Sequence, residues 1–138
     1  MRYISAALRR QVIQRAANRC EYCQLAQEGQ AATFHIDHVI PVAEEGKTTL
    51  ENLALACVAC SLHKSARLTA IDPVSGEEAP IFNPRQQRWR DHFEWDDVRV
   101  MGLTAIGSAT VVVLQINRPV MLTIRAEEKL LQRHPPRE

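Results

Sequence analysis

The chain has 138 residues, 46% hydrophobic and 24% charged, with 17 Lys and Arg against 16 Asp and Glu, a formal net charge of +1. A chain of this length buries roughly two-thirds of its unfolded surface, so one ordinary domain is expected and disordered or collagen-like classes are excluded. The apolar run 109–114 falls far short of the ~20 residues of a membrane helix, and arginines interrupt the N-terminus before an export signal is complete. A cytoplasmic chain with no membrane partner is therefore expected.

Residues 1–20 carry Arg2, Arg9, Arg10, Arg15 and Arg19 and no acid, and only Lys47, Lys64 and Lys129 among the 17 basic residues are not arginine. Arginine is the better bidentate phosphate partner, which points to nucleic acid, with a solvated arginine face on an amphipathic helix as an equal alternative. Ser5 is placed to cap a helix over roughly 6–18, with Leu8, Val12 and Ala16 forming an apolar stripe. Cys20-Glu21-Tyr22-Cys23 follows, then a polar loop over 24–32.

Alternation over Thr33–Ile40, stopped by Pro41, predicts a strand. Its pleat puts Phe34, Ile36 and His38 on one face and His35, Asp37 and Val39 on the other, so joint use of Asp37 and His38 requires a distortion at the strand's end. Glu44 to Thr49 reads as a loop, Leu53–Ala56 as a returning strand, and a helix is expected from about Cys57 through Ala66. From Ile71 to Pro84, prolines, Gly76 and Asp72 predict an irregular connection. Helices are expected over about 107–117 and from Pro119. Trp89 and Phe93, four apart, read as core rather than as a base-stacking platform.

All four cysteines fall in two pairs, Cys20-x-x-Cys23 and Cys57-x-x-Cys60. In a cytosolic chain this pattern predicts a tetrathiolate zinc site, since a two-residue spacer lets both sulfurs of a pair reach one tetrahedral ion. Disulfides are disfavoured in that compartment, and thioredoxin-like redox chemistry uses one pair. A zinc ligated by four thiolates has no open position and is structural.

Between the pairs lie Phe34-His35-Ile36-Asp37-His38-Val39-Ile40-Pro41 and, fourteen residues after His38, Asn52. The run from Arg19 to Lys64, with its paired cysteines, its Asp37-His38, its Asn52-Leu53 and its Lys64 four residues past the last cysteine, resembles an HNH endonuclease. Segments at 72–76, 81–85, 89–95 and 102–110 look like the tail of small stand-alone bacterial HNH proteins. The resemblance implies an α+β fold with a ββα-metal core, structural Zn²⁺, and helical N- and C-terminal additions. Residues 1–70 would form the core and 71–138 an extension packed on it.

It further implies metal-dependent hydrolysis of DNA phosphodiesters. His38 would be the general base, its imidazole being able to take a proton near neutral pH, and Asp37 would give a hard oxygen to Mg²⁺ or Mn²⁺. Asn52 would orient His38 or brace the loop. Where the family usually carries a His or Asn metal ligand this chain has Ser61. Ser61, His63 two residues on, or neither remain open as the further ligand. Lys64 and Arg67, with Arg9 and Arg10, are candidate phosphate contacts or solvent-facing charges, and His35 reads as a solvated or structural histidine ahead of one that supports a metal ligand. Two rival readings are a DNA-binding module that has lost catalysis through Ser61, and a zinc-stabilised protein-interaction domain. No dimer seam is evident.

Overall fold

A computed structural model describes residues 3–137, and Arg2 lies outside the described residues. The chain divides into two compact units, one running up to Leu68 and taking in Asn83–Gln87, the other comprising Thr69–Phe82 and the residues from Arg88 on.

The first unit opens with helix α1 (Ala6–Arg15), capped as expected by Ser5, whose hydroxyl accepts from the Leu8 amide at 3.1 Å. Val12 is its fully buried residue. The helix stops short of Asn18 because Ala17 and Asn18 take φ of +52° and +57°, left-handed values that end an α-helix. A bridge between Arg19 and Ala26 then closes the turn holding the first cysteine pair.

Strands β1 (His35–His38) and β2 (Leu53–Ala56) pair antiparallel, with His35 opposite Ala56 and His38 opposite Leu53. Strand β1 is shorter than the alternation predicts because side chains take over the ladder at both ends. The Phe34 amide donates to Gln27 Oε1 at 2.7 Å, and beyond His38 the Ile40 amide donates to Asn52 Oδ1 at 2.9 Å. All four residues of β2 are buried, which fits a short apolar run with no solvated face.

The β1–β2 connection runs through two 3-10 turns, Val42–Glu44 and Leu50–Asn52. Gly46 lies so close to β1's exit that an added Cβ would sit 1.7 Å from the Ile40 carbonyl oxygen. Helix α2 (Val58–Lys64) follows β2 directly, with Cys57 as its N-cap. The expected strand, loop, strand, helix order is thus present, and α2 ends two residues early where Ser65 takes a φ of +49°.

In the second unit the segment read as irregular contains a hairpin of β3 (Thr69–Ile71) and β4 (Glu78–Pro80), with Ala70 opposite Ala79. The prolines and Gly76 mark its loop and its end. Asp72 builds that loop by accepting from the Val74 amide at 3.0 Å and the Ser75 hydroxyl at 2.8 Å.

A single turn, α3 (Trp89–His92), leads into a second hairpin of β5 (Phe93–Asp96) and β6 (Arg99–Gly102). The expected core pair is present, the Trp89 and Phe93 rings lying 5.0 Å apart, but Phe93 opens a strand. Helices α4 (Ala105–Val113) and α5 (Pro119–Leu130) are the two expected, α4 starting two residues early because Thr104 caps it. The C-terminal addition therefore carries two hairpins beside its helices. Among the described residues no helix is long and apolar enough to cross a membrane.

Candidate metal centre and adjoining cleft

The four cysteines meet as a buried cluster whose sulfurs all lie within 4.8 Å of one another. Cys23 Sγ and Cys57 Sγ are 3.7 Å apart. A tetrahedron with metal–sulfur bonds of about 2.3 Å has sulfur–sulfur edges of about 3.8 Å. The two pairs are built alike: the Cys23 amide donates to Cys20 Sγ and the Cys60 amide to Cys57 Sγ, each at 3.4 Å. These donors stabilise negative charge on sulfur. Contacts with the other three thiols, together with burial, hold the Cys60 thiol well above its ordinary value. The residues are positioned to hold a metal ion, and the donor set fits structural zinc.

The first pair is fastened to β2 by Glu21, whose amide donates to the Leu55 carbonyl while its carboxylate accepts from the Leu55 amide, both at 2.8 Å. Arg85, from the Asn83–Gln87 segment, pairs with the same carboxylate. Burial raises the Glu21 carboxyl above its ordinary value, against the pull of the Leu55 amide and the Arg85 guanidinium. Arg15 reaches from α1 to the Leu50 carbonyl at 2.7 Å, and Arg19 to that of Gln24 at 2.8 Å. Both of these N-terminal arginines thus hold backbone.

Beside this frame lies a cleft of about 660 Å³, lined by Arg9, His35, Asp37, His38, Ser61 and Ser65 among others. Asp37 and His38 share it although they alternate along β1, because the strand ends at His38 and the chain bends at Val39 and Ile40. That bend is the distortion the pleat requires. His38 Nε2 lies 2.9 Å from Thr48 Oγ1.

Asp37 is largely buried. Its Oδ2 accepts from the Tyr22 hydroxyl at 2.8 Å and faces Lys64 Nζ at 3.2 Å. Neither contact uses Oδ1. Burial raises the Asp37 carboxyl above its ordinary value, and the Lys64 ammonium and Tyr22 hydroxyl work against that rise. The Tyr22 hydroxyl is itself pushed well above its usual range by burial and by the Asp37 carboxylate.

Lys64 corrects an expectation. It is neither a phosphate contact nor solvent-facing but 2% exposed, its ammonium shared between Asp37 and the His38 carbonyl at 3.0 Å. The last turn of α2 points it under β1, on the same side as Cys60 one turn earlier. Asn52 braces the loop: Nδ2 donates to the Ile40 carbonyl at 3.0 Å and to that of Lys47 at 2.9 Å, and no bond to His38 accompanies them. Ser61 lines the cleft and sits 2.9 Å from His35 Nδ1, whereas His63 is not among the lining residues and its Nδ1 is buried without a partner among the described residues. Arg10 and Arg67 are exposed away from the cleft lining.

Sequence reasoning missed Tyr22, Thr48 and Gly46. The first sits between the cysteines of a pair, where nothing in spacing marks it. Gly46 carried a signal, as a glycine in a loop that must pass close to its own strand.

A four-cysteine cluster beside a ββα unit defines an α+β domain with a candidate metal centre. Residues 20–67 match the family model described as HNH endonuclease, and a nuclease or DNA-related function is the one such a match suggests. No curated protein and no solved structure matches the chain.

Proposed function

We propose that the protein is a metal-dependent HNH endonuclease that hydrolyses DNA phosphodiester bonds. One observation carries this reading: Asp37 and His38, from one strand end, and Ser61, from the following helix, line a single cleft inside the segment that matches the HNH model. A divalent cation such as Mg²⁺ or Mn²⁺ would neutralise the scissile phosphate and the leaving 3′ oxygen. The donors suit such an ion, a hard carboxylate oxygen with a neutral hydroxyl nearby, leaving most positions to water.

His38 takes the proton of the attacking water, and the Thr48 hydroxyl, 2.9 Å from Nε2, fixes the orientation of the ring. Asp37 Oδ1 would be the anionic donor to such a cation, while Oδ2 is held by Tyr22 and Lys64, which keeps the carboxylate from rotating. Arg9, at the cleft's rim, contacts a flanking phosphate. Structural Zn²⁺ at the four cysteines holds this arrangement without entering the chemistry.

The Lys64–Asp37 ion pair favours a second reading, a zinc-stabilised DNA-binding module, because an ammonium already balances the one carboxylate of the cleft. Incubating zinc-loaded protein with supercoiled plasmid separates the two. Nicking that needs Mg²⁺ or Mn²⁺ and stops with a chelator of those ions supports the nuclease. Salt-sensitive binding without any nicking supports the module.

A further inference from the structure

The cleft holds one imidazole that the proposed reaction leaves unused. His35 lies two residues before Asp37, on the same face of β1, at a Cα separation of about 6.6–7 Å for two strand steps. Both line the cleft. His35 Nδ1 is 2.9 Å from Ser61 Oγ, and Nε2 has no hydrogen-bond partner among the described residues and is not sealed from solvent. An imidazole with one nitrogen held by a hydroxyl and the other open is the usual preparation of a metal ligand: the held nitrogen keeps the proton, and the lone pair is left on the free one.

We propose that His35 Nε2, together with Asp37 Oδ1, ligates the divalent cation, and that Ser61 is the positioning residue that holds the His35 ring. Ser61 suits that task better than ligation. Its hydroxyl is neutral, hence a weak donor to a cation, and is already engaged by Nδ1. His63 is not needed, since the imidazole comes from the strand instead of the helix. The resulting set of one carboxylate, one imidazole and several waters favours Mn²⁺ over Mg²⁺, because nitrogen is the softer donor. This inference rests on the nuclease reading for its cation.

The test is pulsed EPR of Mn²⁺ added to zinc-loaded, full-length protein, with the Mn²⁺ dissociation constant measured alongside. Directly bound imidazole imprints a ¹⁴N coupling on the Mn²⁺ spin. The wild type is expected to show it, His35→Gln to lose it with at least a ~10-fold rise in Kd, and His38→Ala and His63→Ala to keep it. Ser61→Ala is expected to keep the coupling but bind Mn²⁺ up to ~10-fold more weakly, as for loss of a partner that orients a ligand. Retained zinc in each variant reports an intact fold. Bound Mn²⁺ without ¹⁴N coupling, or coupling that survives in His35→Gln, overturns the assignment and leaves the nuclease reading standing. Failure of the wild type to bind Mn²⁺ at all overturns both.

Discussion

At the residue scale the decisive contact is the ion pair of Lys64 with Asp37. Two charges are taken out of water together, with 2% and 9% of their side chains exposed, and each is tolerable only because the other is there. Lys64 also donates to the His38 carbonyl, so one ammonium ties α2 to the strand end carrying both cleft residues. Lys64→Met keeps the volume and removes the charge. It is expected to lower unfolding stability by about 3 kcal/mol in urea titration of the zinc-loaded protein, the scale for stranding a buried partner. A loss below about 0.5 kcal/mol would mean that the pair is effectively solvated.

The same residues show how far side-chain roles can be read from sequence. Spacing alone brought the four cysteines together, because two-residue spacers and a shared ion leave little freedom. Lys64 was misread because its charge suggested solvent, whereas its place is set by helical phase: one turn past Cys60 it must face β1. The His35–Ser61 contact crosses 26 positions and depends on how α2 docks on β1, which no local pattern encodes.

At the element scale the ββα order was legible because each piece had a strong local cause: alternation stopped by Pro41, a four-residue apolar run, a cysteine cap. The hairpins of the second unit were not. Their strands are three or four residues long, below the length at which alternation separates from chance. In the β3–β4 hairpin the Asp72 side chain ties the loop together. Hydrogen bonds from the Val74 amide and from Ser75 hold the Asp72 carboxyl below its ordinary value.

A carboxyl depressed in the folded state contributes stability above its unfolded value, and that contribution disappears as pH falls through the folded one. Asp72→Ala should therefore destabilise the protein at neutral pH, and the gap between variant and wild type should close as pH drops below the ordinary aspartate range of about 3.9. Thermal unfolding of both proteins across that range measures it. A gap that stays constant to low pH would assign the effect to turn geometry instead of charge.

At the scale of the whole molecule the four-cysteine centre joins what sequence separates, the end of α1's segment and the start of α2, across the β1–β2 hairpin. Binding energy at such a centre is folding energy. Removing the ion with a strong chelator should raise amide hydrogen exchange throughout the unit that runs to Leu68, most in β1, β2 and α2. The unit from Thr69 to Phe82 and beyond Arg88 contributes no cysteine and should keep its protection in α4 and α5. Exchange that rises equally in both units would show that the chain unfolds as one body.

The central claim is that the cleft at the end of β1 cleaves DNA with His38 as its base. Single-turnover cleavage of a DNA duplex by zinc-loaded wild type and His38→Ala, at matched DNA and Mn²⁺ occupancy, tests it most directly. Loss of a general base typically costs 10²–10⁴ in rate, so the account predicts a variant at least ~100-fold slower with DNA binding unchanged. A variant that cuts at the wild-type rate would contradict it.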